Sequence, residues 1–108
     1  MNNAERLQVA TSTKSHKELF SDVVNNVENL SAELSIASNP FGFKDCMCFR
    51  EELWEELAKC LVSLNQLAIK FDKCEVVTKQ FDDIVDKQIQ ESGWKGRVAA
   101  SFLKDSMV

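Results

Sequence analysis

Ser15–Ala37, SHKELFSDVVNNVENLSAELSIA, is the stretch whose reading decides the fold. Ser15 and Glu18 have the S-x-x-E spacing of a capping box, in which a hydroxyl and a carboxylate satisfy the amides that open a helix. Beyond the cap, Phe20, Val27 and Leu34 recur every seven residues, and Val23, Leu30 and Ala37 recur in a second phase. Two apolar positions per heptad are the a/d rhythm of helices that pack along a seam. Leu19 and Val24 widen that seam. The pattern predicts a helix that stops near Asn39-Pro40, because proline cannot continue a helix and biases its predecessor away from one.

Reading forward, Ser38–Lys44 (SNPFGFK) predicts a turn, with Phe41 and Phe43 around Gly42 folding back onto the helices. Asp45 can cap a second helix, whose first turns carry Glu51 and Glu52, where the helix dipole favours acids. Its apolar positions run Leu53, Trp54, Leu57, Cys60, Leu61, Leu64, Leu67, Ala68 and Phe71. Such a stripe is wide enough for two neighbours. Glu55 and Lys59 add a surface ion pair. No Gly or Pro occurs between Lys44 and Ser92, so residues 45–92 can be one helix or two. A break near Asp72 is the expectation. Asp72 and Glu75 resemble a second capping box, and Val76-Val77-Thr78 is β-branched. The third helix then carries Val77, Phe81, Ile84, Val85 and Ile89 on one face and ends at Ser92-Gly93. Gly93–Gly96 reads as a hinge before a short amphipathic helix with Val98, Ala99, Phe102, Leu103 and Met107.

Reading backward from Ser15, residues 1–14 are polar and mixed; Ala4, Leu7 and Val9 allow a short helical turn or nothing stable, and a flexible segment is expected. The expected organisation is that segment, a bundle over 15–92, and a hinge with a short helix over 93–108. The expected fold is all-α: an up-down bundle of three or four helices with coiled-coil-like packing. Its three apolar stripes can cover one another.

Composition agrees. The 108 residues are 44% hydrophobic and 28% charged, with three Gly, one Pro and no Tyr, too few turn-formers for a β-sandwich. A net charge of −4 gives no nucleic-acid footprint. No apolar run reaches the ~20 residues of a membrane span. Residues 1–20 carry no apolar core of the signal-peptide type, so a cytoplasmic, reduced protein is expected.

The cysteines argue against zinc. Cys60 and Cys74 on a continuous helix would stand ~21 Å apart. Cys46-x-Cys48 is not a C-x2–4-C pair, and the single histidine, His16, lies on another helix. Cys60 and Cys74 read as buried thiols. Cys46 and Cys48 lie near a helix N-terminus, a position that can lower a thiol pKa. A cysteine–histidine nucleophile would need His16 beside one of these thiols, and no glycine-rich oxyanion or phosphate loop exists.

The acids cluster twice, at Glu51, Glu52, Glu55 and Glu56, and at Asp82, Asp83 and Asp86. A solvated acidic surface is one reading. The pattern Glu51-Glu52-x-x-Glu55-Glu56 followed by Asp83-x-x-Asp86 also resembles the MazG-type all-α nucleoside triphosphate pyrophosphohydrolases, over about residues 50–90. That resemblance implies Mg²⁺ held near Glu52, Glu55 and Asp86, although Asp83 stands where the family has Glu. A second likeness is carried by Val23–Asp45, VVNNVENLSAELSIASNPFGFKD. It resembles the BAG-type co-chaperone domains, three-helix bundles that bind the ATPase domain of Hsp70. The basic run of that family's last helix has no match in residues 76–91.

The reading that uses most of the sequence is a non-enzymatic protein–protein interaction module without a cofactor, acting as a homodimer or as a subunit of a larger assembly. Its partner is a protein, neither nucleic acid nor membrane, chosen in part by acidic faces. The candidate partner-binding residues are Phe20, Val27, Leu34, Trp54 and Leu61. Trp94, Phe102 and Leu103 form a second candidate patch.

Overall fold

The computed structural model describes residues 1–38 and 51–107. The expected turn at 39–44 with Phe41 and Phe43, the Asp45 cap, Cys46 and Cys48, and the side chain of Met107 lie outside the described residues. Among the described residues the protein is all-helical: α1 (Asn3–Ser12), α2 (His16–Ala37), α3 (Glu51–Lys70), α4 (Cys74–Glu91) and α5 (Trp94–Met107). They fall into two compact units, Met1–Lys73 and Cys74–Val108.

In the first unit, the segment expected to be flexible contains a helix. Asn2 caps α1 by accepting the Glu5 amide proton at 2.8 Å. Asn is among the best N-cap residues, and the turn that Ala4, Leu7 and Val9 allow is extended into a helix of 10 residues. Thr11, near its end, is buried, and its hydroxyl donates to the Leu7 carbonyl at 2.7 Å. The Lys14 ammonium bridges to Asp22 across the turn into α2 at 2.5 Å. The box at Ser15 is present in altered form. Ser15 Oγ accepts from the Glu18 amide at 3.1 Å, and its own proton goes to Glu18 Oε1 at 3.2 Å.

Helices α2 and α3 lie side by side and run in opposite directions. His16 and Phe20 at the start of α2 meet Phe71 just past the end of α3, with ring centroids at 4.8 and 5.6 Å. Midway along, Asn26 Nδ2 donates to the Lys59 carbonyl at 3.4 Å. α1 packs against α3 as well.

The break before α4 occurs where expected, by a different device. Asp72 does not open α4. It closes α3 in the left-handed conformation, with φ 54°. The Lys73 amide reaches back to the Ala68 carbonyl at 2.9 Å and the Asp72 amide to Ile69 at 3.1 Å, the paired bonds of a Schellman cap. Aspartate tolerates this conformation less well than glycine. Asp72→Gly is therefore expected to raise stability by roughly 0.5–1 kcal/mol, part of the relief being offset by a freer unfolded chain. Urea unfolding of the two chains measures it, and an unchanged or lower midpoint would mean that the carboxylate contributes to the cap.

In the second unit, α4 ends at Glu91 and only Ser92 and Gly93 separate it from α5. Gly93 takes the left-handed conformation at φ 61°, as its place after an amphipathic stretch predicts. The expected hinge over 93–96 is thus shorter than read. Trp94, Lys95 and Gly96 already belong to α5. No described helix is long and apolar enough to cross a membrane.

Candidate functional site: an apolar face on helices α2 and α3

The two heptad phases of α2, expected to share one seam, are covered unequally. Leu19 is completely buried, while Phe20, one residue on, is 52% exposed, and Val27 and Leu34 are similarly exposed. The covered side of α2 runs through Leu19, Asp22, Val23, Asn26, Leu30, Glu33 and Ala37. The second phase, Val23, Leu30 and Ala37, is therefore half-buried, and the first lies beside the seam. One residue is about 100° of helix, so a one-residue difference in phase turns a core stripe into a surface stripe.

The same displacement occurs on α3. Its covered side passes through Leu53, Glu56, Cys60, Ser63, Gln66 and Leu67. Ser63 and Gln66 are only 2% and 5% exposed, yet Trp54 is 51% and Leu61 54% exposed. The covered side of α3 thus mixes Leu53 and Leu67 with polar residues, and Trp54 and Leu61 lie outside it. Ser63 satisfies its hydroxyl internally by donating to the Cys60 carbonyl at 3.1 Å. Glu56 Oε1 accepts from Lys59 at 3.2 Å, but Glu56 Oε2 is buried without a hydrogen-bond partner. Glu56→Met is expected to stabilise the first unit by about 1 kcal/mol, since a desolvated carboxylate oxygen is replaced by an apolar chain. A denaturant midpoint that falls instead would show that the carboxylate holds the pair together.

Lys59 titrates above its ordinary value of 10.5, chiefly because Glu56 accepts its hydrogen bond, then through the charges of Glu56 and Glu55. That small contribution is complete below pH 10.5 and fades as the pH rises through the raised value. It should be reduced in Glu56→Met.

The exposed apolar residues form one face. On α2, Phe20, Val24, Val27 and Leu34 fall within about 80° of arc, centred about 100° from the covered seam. On α3, Trp54, Leu57, Leu61 and Leu64 do the same in the same rotational sense. Because the two helices are antiparallel, both stripes emerge on the same side of the pair. The Phe20–Phe71 ring contact is made on that side. Val62 and Ile36, although exposed, point elsewhere on their helices.

Five expected binding residues, Phe20, Val27, Leu34, Trp54 and Leu61, thus share this face, and the structure adds Val24, Leu57 and Leu64 to it. The other three lie on α5. Trp94, Val98 and Phe102 share one side there, and all but Val98 are more than 60% exposed. Leu103 does not join them. Nine residues beyond Trp94, it lies on the opposite side of the helix, about 180° away.

The apolar stripe of α4 is also open. Val77, Phe81, Ile84 and Ile89 are each about half exposed or more, and Val85 is half-buried. Cys60 is buried as expected, whereas Cys74, the first residue of α4, is exposed. At a helix start a side chain has no preceding turn to pack against. Among the described residues, no group of three or more His, Cys, Asp or Glu side chains converges to hold a metal ion. A shallow concavity bounded by Cys74, Glu75, Thr78, Lys79, Asp82 and Asp83 is open groove along one helix.

No protein-family model matches this chain, and neither a curated protein nor a solved structure is significantly similar to it.

Proposed function

We propose that the chain is a protein–protein interaction module without catalytic activity, which takes a protein partner on the apolar face of α2 and α3. One observation carries this reading. Eight large apolar side chains in two adjacent stripes stay exposed while polar Ser63 and Gln66 are buried. Single exposed leucines are ordinary, but contiguous apolar patches on monomers are seldom larger than a few hundred Å² unless they bind something. A partner laying helices along these stripes would complete an up-down, coiled-coil-like bundle, the finer architecture that the heptads suggest. The acidic residues at one end of the face would then influence which partner is accepted and how fast it docks.

Site-specific photo-crosslinking tests this reading. A photoreactive amino acid at position 27 or 61 should yield covalent protein adducts in the producing cell. The same group at Asn25, exposed on the far side of α2, should not. If positions 27 and 61 give no more adducts than position 25, the face is not a docking surface.

A further inference from the structure

Resting on the reading of the α2–α3 face as a docking surface, we infer that its occupant is a second copy of this chain. The two copies pack face to face with their helices antiparallel, about a two-fold axis near Val27 and Leu61.

Area is the first argument. Aromatic side chains offer on the order of 150–250 Å², the six aliphatic ones here somewhat less, and the eight show about half of it, so the face presents roughly 600–800 Å². A stable interface of standard size needs about 800 Å² from each partner. The face is thus large enough for one specific protein interface of ordinary size. Two stacked helix pairs also make a four-helix bundle, in which each face becomes half of a shared core.

Charge is the second argument, and it selects both the partner and the orientation. Because α2 and α3 are antiparallel, residues 14–22 and 66–73 share one end of the pair, and residues 28–38 and 51–59 share the other. The first end carries four lysines against three carboxylates, a balance of +1. The second carries six glutamates against Lys59 alone, a balance of −5 among the described residues. Parallel stacking of two copies would press the two acidic ends together. Antiparallel stacking lays each acidic end over a basic one, so that Glu51, on the flank of the face, approaches the end of the other copy that holds Lys17 and Lys73. A two-fold interface is self-complementary by construction, and this charge gradient has that property. The midpoint agrees as well. The Asn26–Lys59 hydrogen bond marks the level at which α2 and α3 are both halfway along, and Val27 and Leu61 lie at that level on the apolar face.

Sedimentation equilibrium of the full chain, combined with hydroxyl-radical footprinting over the same concentration series, tests the inference. The expected result is a dimer mass, with protection of Trp54 and Leu61 rising in step with the dimer fraction. A monomer whose face stays reactive at every concentration would overturn the self-association and leave the face to a different protein. A monomer whose face is already protected at high dilution would overturn both this inference and the docking reading. Leu61→Glu, which places a charge beside the axis twice per dimer, should leave only monomer. A surviving dimer would mean that the interface lies elsewhere. Orientation is read from charge reversals at exposed residues. E51K and K17E/K73E should each weaken the dimer severalfold, and mixing the two variants should restore it as a heterodimer. Unchanged dimers, or a mixture no tighter than its components, would overturn the antiparallel packing.

Discussion

Leu19→Ala is expected to cost about 3 kcal/mol and to lower the thermal midpoint of the first unit by more than about 10 °C. Leu19 is the one large side chain among the described residues with no exposure at all. It sits in the first turn of α2, held there by the Ser15 cap and by its own amide bond to the Ser15 carbonyl at 3.1 Å. Its removal leaves a void at the end of the helix pair where His16, Phe20 and Phe71 also meet. Among the described residues of this unit only Leu53 and Cys60 are otherwise buried apolar side chains, so little there remains to compensate. Ser21→Ala, two residues on and exposed, should change stability by less than about 0.5 kcal/mol. Thermal melts followed by circular dichroism distinguish the two. A Leu19→Ala chain that melts within a few degrees of the parent would mean that the buried position is not where the unit derives its stability.

Gly96→Ala should have the second largest effect, about 2 kcal/mol of destabilisation at the α4–α5 corner. Helix propensity alone predicts the opposite sign, since Ala is favoured over Gly by about 1 kcal/mol inside a helix. The corner decides otherwise. A Cβ at position 96 would stand 2.9 Å from the Ile89 carbonyl oxygen and 2.2 Å from Ser92 Oγ. The Ser92 hydroxyl can rotate away, but it would then give up its 2.5 Å bond to that same Ile89 carbonyl. The backbone oxygen cannot move without unwinding the end of α4. Gly93 provides the contrast. Nothing lies within 4 Å of its missing Cβ, so Gly93→Ala carries only the cost of a left-handed alanine, about 1 kcal/mol. Amide hydrogen exchange over α5 should therefore accelerate more for Gly96→Ala than for Gly93→Ala. The reverse order would show that the corner is governed by backbone conformation and not by close approach.

These two positions also show how differently parts of the fold could be read from the chain. Gly93 was legible, because a glycine after an amphipathic stretch has few other uses. Gly96 was not, because its role depends on a carbonyl seven residues earlier that approaches only after the chain has turned. Asp72 lies between these cases. The break at this point followed from local composition, but whether the aspartate ends one helix or begins the next depended on which carbonyls the following amides found.

The candidate site divides in the same way. Phe20, Val27, Leu34, Trp54 and Leu61 were singled out by spacing alone, and they share a face. That this face lies outside the contact between α2 and α3 could not be read from spacing. A periodic stripe fixes angles along one helix relative to one another and leaves the rotation of that helix against its neighbour undetermined. When the apolar arc is as broad as it is on α3, two rotations 100° apart bury comparable areas.

The sequence by itself determined that the described chain is helical and where most helices begin and end. Those features depend on hydrogen bonds and caps within four or five residues of one another. Only the tertiary structure decided which side of each helix is covered, that Leu19, Cys60, Ser63 and Gln66 are buried, and that Phe20, Trp54 and Leu61 remain on the surface. That outcome depends on how closely two backbones approach. Small and polar side chains allow a closer approach than Phe20 or Trp54 would, and no local pattern records the distance between helices that are far apart in the chain.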